Sequence, residues 1–226
     1  MVVRQDRETR RFVVLGDLIA EADGTFTFTY RPEARRDPEF RPVPGFPDPH
    51  LEYRSPELFP FFTNRVMSPR RPDFGSHLRA IGLDSHEATP VQMLVRTGGR
   101  RATDTYLVVP EPTVDTDGTE RRLFLATGIR HLPGAPERVS TLSTGQELEL
   151  RTDPTNEYDR DAILLDAASN EPVGFVPGYM CRYVRDHRQA GRHVRVVVVQ
   201  ANGPDVPRHL QLLCRMEVIP PTGPRR

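Results

Sequence analysis

Two stretches carry the clearest alternation of apolar and polar positions. Phe26, Phe28 and Tyr30 alternate with Thr27 and Thr29, the period-two pattern of a half-buried strand. Asp23-Gly24 just before them is a hairpin turn signal. Near the other end, Leu210, Leu212, Cys214, Met216 and Val218 alternate with His209, Gln211, Leu213, Arg215 and Glu217, again a half-buried strand. Residues 32–49 hold six Pro, which fix φ and remove ladder donors, so an extended surface segment is expected. SPELFPFFTNRVM then predicts a short helix capped by Ser55 with Pro56 in its first turn. A second helix is expected over 74–81. VQMLVRTGGRRATDTYLVVP reads as an apolar segment, a Gly98-Gly99 turn and a strand over 105–109.

Residues 110–122 are turn formers and charges, read as a linker; a hairpin around Asp117-Gly118 is the rival reading. Beyond them, strands are expected over 123–129, 146–151, 162–166 and 172–176, the last two joined around Ser169-Asn170. Pro177 opens a helix in which Val176, Tyr179, Met180, Tyr183 and Val184 form an apolar stripe, and Gly191 ends it. Residues 194–200 are a strongly apolar strand. This half therefore predicts about six strands and one helix, consistent with a small oligonucleotide-binding (OB) type barrel.

Composition narrows the chemistry. All 31 basic residues are Arg, and Lys and Trp are absent. Phosphate loops ending in Lys, Schiff-base lysines and the kinase strand Lys are thereby excluded. With 31 acids the net charge is zero, so no whole-protein basic field steers a polyanion. Charge is segregated all the same: residues 182–226 hold nine Arg against three acids, and residues 137–171 three Arg against nine acids. The apolar stripe of the helix leaves Arg182, Arg185 and Arg188 facing solvent or a partner. A phosphate-binding face is one account of these Arg; a solvated helix face whose field nearby acids cancel is the plainer one. Two Cys make no disulfide framework, and the N-terminal residues lack the apolar core of a signal peptide. A cytoplasmic protein is expected.

TDPTNEYDRDAILLDAASNEPVGFVPGYMCRYV carries Asn156, Tyr158, Asp159 and Ala162, then Val173, Gly174, Phe175 and Pro177 at the opening of the helix. With Gly128-Ile129-Arg130-His131 upstream, this resembles the HIRAN domain over roughly residues 122–219. The resemblance implies a modified OB fold that grips single-stranded DNA at its 3′ end, in DNA repair or defence. It implies a pocket from Arg130 and His131, the loop residues Asn156, Tyr158 and Asp159, then Phe175, Gly178 and Tyr179 where the helix begins. Arg182 and Arg185 extend this site along the helix. His131, Phe175 and Gly178 stand where DNA-binding relatives carry Tyr, His and Lys. Chemically, Tyr158 can stack on a base, Asp159 can accept from a 3′ hydroxyl, and Arg130 can fork onto a phosphate. An equally good account of residues 156–159 is a turn in which Asn and Asp bond their own backbone.

The N-terminal half resembles, more loosely, the N-terminal module of HipA-type toxin kinases, through Phe59, Phe61, Phe62, Asn64, Leu94, Gly98 and Gly99. That resemblance implies an interaction module without catalysis, and the three Phe are expected in a core. The seven His stand in no metal-like spacing. Asp153, Asp159 and Asp161 are the one candidate cluster for a metal-dependent nuclease.

The expectation is thus an α+β, β-rich chain: a mixed N-terminal interaction module (1–115), a linker (116–121), a six-stranded OB-like barrel with one helix (122–219), and a tail (220–226). It is a non-enzymatic binder, without cofactor, of single-stranded DNA or DNA 3′ ends, with RNA as a further candidate and an unidentified protein partner on the N-terminal module. The alternatives are a protein–protein adaptor and a metal-dependent nuclease.

Overall fold

A computed structural model describes residues 1–221, and the chain divides into two compact units. The tail expected over 220–226 lies, from residue 222, outside the described residues.

The first unit comprises Met1–Arg79 and Leu83–Glu111. Strands β1 (Val2–Gln5), β2 (Phe12–Ala20), β3 (Phe26–Tyr30), β4 (Tyr53–Ser55) and β5 (Tyr106–Val108) form one sheet in the order β4-β3-β2-β1-β5. Helices α1 (Pro32–Arg35), α2 (Pro60–Thr63), α3 (Phe74–Ala80) and α4 (Pro90–Thr97) lie between strands along the chain. The Pro-rich stretch is more than a surface segment, because Val43 and Phe46 are buried. Tyr30 explains why: its hydroxyl accepts the Val43 N–H and donates to the Phe46 carbonyl, so the segment is tied to the sheet from inside. Ser55 closes β4 instead of capping a helix; Phe59 is the N-cap and Pro60 the first helical residue, where a missing N–H costs nothing. The apolar segment over 91–97 is helical. A short apolar run does not distinguish helix from strand. Here the Thr89 side chain accepts the Gln92 N–H at 3.2 Å, Pro90 sets the first turn, and Gly98 at φ 69° stops it. Phe62 is fully buried, with Phe59 and Phe61 packed on the same cluster as Phe28 and Phe46.

The second unit comprises Ala80–Gly82 and Pro112 onward. Strands β6 (Thr113–Val114), β7 (Glu120–Leu125), β8 (Glu147–Thr152), β9 (Ile163–Asp166), β10 (Pro172–Phe175), β11 (His193–Ala201) and β12 (Leu212–Ile219) form a seven-stranded sheet. Its order is β10-β9-β8-β11-β12-β7-β6. Helices α5 (Ala135–Ser140) and α6 (Gly178–Gln189) complete it. Phe124, Leu148, Leu165, Val184, Val196 and Met216 belong to its core. Around Asp117-Gly118 the chain makes a hairpin, with Thr113 opposite Arg121.

The OB-like barrel is not what forms. The seven-stranded sheet stays open, with β10 at one edge and β6 at the other. Closure needs a ladder between edge strands. Here β6 takes the outer edge of β7 at its first residues, and among the described residues one isolated bridge, Thr127 to Phe175, reaches β10 beyond the end of β7. The strand expected to run to residue 129 stops at Leu125, because Gly128 at φ 71° turns the chain into a 3-10 turn, Ile129–His131. The helix α5 had no counterpart in the sequence reading.

Candidate nucleic-acid interface

The loop between β8 and β9 is braced by its own polar side chains. Asn156 is the centre. Its Oδ1 accepts the backbone N–H of Tyr158 and of Asp159, both at 3.1 Å, and its Nδ2 donates to Asp153 Oδ2 at 3.1 Å. Asp159 Oδ1 accepts the Asp161 N–H at 2.9 Å. The Asx-turn account of Asn156 and Asp159 is therefore what the local geometry shows. The consequence is the placement of Tyr158. Its backbone is held and the residue is 79% exposed, one of the few exposed large hydrophobic residues among the described residues.

The loop is pinned to α6 by Asp161, which accepts from Arg185 Nη1. That bond lowers the Asp161 pKa, more than burial raises it. Pro177 is the N-cap of α6 and supplies no side-chain cap to the first turn, where Gly178 and Tyr179 are half-buried. Cys181 lies one turn along, buried; desolvation pushes its thiol up to about 12, so it is neutral at physiological pH. Arg182 is exposed and pairs with Asp186 at 3.5 Å.

Phe175 ends β10 and leads through Val176 into α6. Its ring lies against Gly128, and backbone bonds to Thr127 fix it from both directions. The turn with Arg130 and His131 thus neighbours the entry to α6. Both side chains are exposed, and Arg130 Nε donates to His131 Nε2 at 2.9 Å. The structure thus places the candidate residues on three adjoining segments. Among the described residues, no hydrogen bond joins Arg130 or His131 to the Asn156 loop.

The basic excess over 182–226 does not make a free basic face. Arg192 pairs with Glu120, and Arg195 and Arg215 both pair with Glu217. With Arg182 and Arg185 also engaged, five of the seven described Arg of this segment sit against acids. Sequence reasoning missed Glu120 and Glu217 as the acids responsible. The signal was present for Glu217: an acid inside the apolar run Leu212–Ile219, 2% exposed, is tolerated only with partners. Glu120 also accepts from Tyr183, and burial followed by that bond pushes the Tyr183 hydroxyl up to about 12.

Among the described residues, no group of three or more His, Cys, Asp or Glu stands where it can hold a metal, so Asp153, Asp159 and Asp161 do not gather into one. Among them, too, no helix is long and apolar enough to cross a membrane.

The second unit is thus an open α+β sheet whose β10 runs through Pro177 into α6, beside a braced Asn-x-Tyr-Asp loop. Residues 123–218 match the family model of the HIRAN domain, so this unit carries HIRAN-domain homology. The solved HIRAN domain of human HLTF aligns at 19% identity over 44% of this chain and 74% of its own, with a TM-score of 0.30. A Lactobacillus plantarum protein of known crystal structure aligns at 16% identity over 45% of this chain and 97% of its own, with a TM-score of 0.35. No curated protein matches the chain. The resemblance of the N-terminal half to HipA-type kinases finds no support in these comparisons.

Proposed function

We propose that the second unit binds single-stranded DNA, acting by binding and not by catalysis, with Tyr158 as the platform for a base. The observation that supports this reading is the Tyr158 ring itself. It stands in solvent, and the loop beneath it is held by the Asn156 side chain, so a base could stack on it without displacing protein contacts. A braced aromatic loses little freedom when a base stacks on it. Asp159 and the first turn of α6 would face the strand end, and Arg130 its phosphates. Asn156 contributes by shaping the loop, because its amide oxygen already accepts two backbone N–H groups.

Fluorescence anisotropy with labelled oligonucleotides ending in 3′ hydroxyl or 3′ phosphate, at two salt concentrations, tests this. Binding that weakens with salt is expected, and preference for the hydroxyl would add end recognition. Tyr158→Ala should weaken binding by about 1–3 kcal/mol, roughly 5- to 150-fold. A folded Tyr158→Ala protein that binds as before would remove the platform. Absence of binding at low salt would sink the reading and leave the protein–protein adaptor.

A further inference from the structure

We infer that the cleft between residues 160–163 and the flank of α6 that carries Cys181, Val184, Arg185 and Arg188 is a phosphate track, carrying the strand away from the base stacked on Tyr158. This rests on the single-strand reading above. The cleft holds about 330 Å³. Its rim carries Arg160, Arg185 and Arg188, with Asp161 as its one acid. Its floor is apolar, formed by residues that include Ile163 and Val184.

Three features point to a sugar–phosphate chain. First, Arg185 and Arg188 are three apart on one helix and project to one side, about 5–6 Å between their Cβ atoms. Arg160 comes from the loop instead, so the guanidinium groups present planar forks from two elements, which suits phosphate oxygens. Second, Arg160 and Arg188 make no ion pair among the described residues and are exposed, whereas most other Arg of the helix and the following strands are held by acids. Third, Arg160 stands two residues beyond Tyr158 on the same braced loop, so the track begins where the stacked base would end.

Asp161 has a particular role here. It holds Arg185 across the cleft and repels any phosphate that enters. Binding must therefore exchange the Asp161 carboxylate for a phosphate on Arg185. Removing the Asp161 charge should tighten binding, the reverse of what loss of a merely structural pair would do.

The test measures log affinity against log salt for the full chain with a 5′-labelled dT12 ending in 3′ hydroxyl. Each single-strand phosphate contact contributes a slope of about −0.7. The Arg160→Ser/Arg188→Ser double variant is expected to flatten the slope by about 1.4. Asp161→Asn should steepen it by about 0.7 and raise affinity at low salt. Circular dichroism melts confirm that each variant folds. If wild type binds and Tyr158→Ala weakens it, but neither slope changes, the track is wrong while the stacking site stands. If Asp161→Asn weakens binding, the Asp161–Arg185 pair is structural and the exchange is overturned. Equal competition by a poly-Glu peptide would show a general anion site and overturn the phosphate track. Absence of wild-type binding overturns both readings together.

Discussion

Glu217→Gln should lower the stability of the protein by about 3 kcal/mol at pH 7, and this difference should shrink as pH falls from about 4.5 toward 2. Glu217 sits within β12, its side chain 2% exposed. Burial alone would raise its pKa. Bonds from Arg195 at 2.7 Å, Arg215 at 2.8 Å and Arg121 at 3.2 Å overcome that and hold it at about 2. The sign follows from linkage: a carboxyl depressed in the folded state stabilises fully above its unfolded pKa, near 4.5. That contribution is lost as pH falls through the folded value. The three Arg side chains are 37–41% exposed, so water and salt screen the Arg side and the loss should be smaller at high ionic strength. Urea titrations of the second unit's transition at pH 7 and pH 3, in low and high salt, measure this. A Gln variant as stable as wild type at pH 7 would mean that the cluster contributes nothing net.

The same acid decides how charge is to be read in this protein. Counted along the chain, residues 182–226 are strongly basic. In space, β7, β11 and β12 bring Arg121, Arg195 and Arg215 onto Glu217, while Glu120 takes Arg192. Among the described residues, Arg188 and Arg208 of this segment are exposed without an ion pair, and Arg160 of the loop is a further such Arg beside α6. A basic segment is therefore a poor guide to a basic surface when strand pairing can deliver acids to it. The register of β11 and β12, with Arg195 opposite Glu217, is what makes the difference.

How legible the sequence was follows the same physics. The alternation over 26–30 and 212–218 located strands β3 and β12, but β12 is buried on both faces, with Leu213 and Glu217 enclosed as fully as Leu212 and Met216, and residues 208–210 form a 3-10 turn ahead of it. The stripe Val176, Met180, Val184 gave α6 with its stop at Gly191. Local capping was harder. Ser55 and Pro56 carry a good cap signal, yet Phe59-Pro60 starts the helix, because the aromatic cluster of Phe28, Phe46 and Phe62 fixes where that segment enters the core. Sheet closure was beyond reach. Alternation specifies which face of a strand is buried, not whether the first and last strands meet. In the candidate site, the turn chemistry of Asn156 and Asp159 was readable from residue type. The exposure of Tyr158 was not, because the same loop could have folded the ring inward.

Gly128→Ala tests how that site is tied to the fold, and should destabilise the protein by about 2–5 kcal/mol. Two independent terms add. Gly128 is at φ 71°, and an L residue in this left-handed region costs about 1–2 kcal/mol. A Cβ there would also stand 2.6 Å from Phe175 Cδ2 and 3.2 Å from Cε2. The ring cannot simply retreat: Phe175 donates to Thr127 at 2.8 Å and accepts from it at 2.9 Å, so moving the ring strains the isolated bridge between Thr127 and Phe175. Overpacking of this kind costs about 1–3 kcal/mol. A double-mutant cycle separates the terms. On a Phe175→Ala background the clash is gone, so Gly128→Ala should cost only the backbone part, about 1–2 kcal/mol. The cycle also bears on function. Phe175 leads directly into Pro177 and the first turn of α6, so a ring displaced by the added methyl group should shift the helix entry. Oligonucleotide affinity should then fall in the single variant and recover partly in the double. Full additivity of the two substitutions would mean that Phe175 and Gly128 are packed neighbours without mechanical coupling, and that the entry to α6 is positioned by Val176 and Pro177 alone.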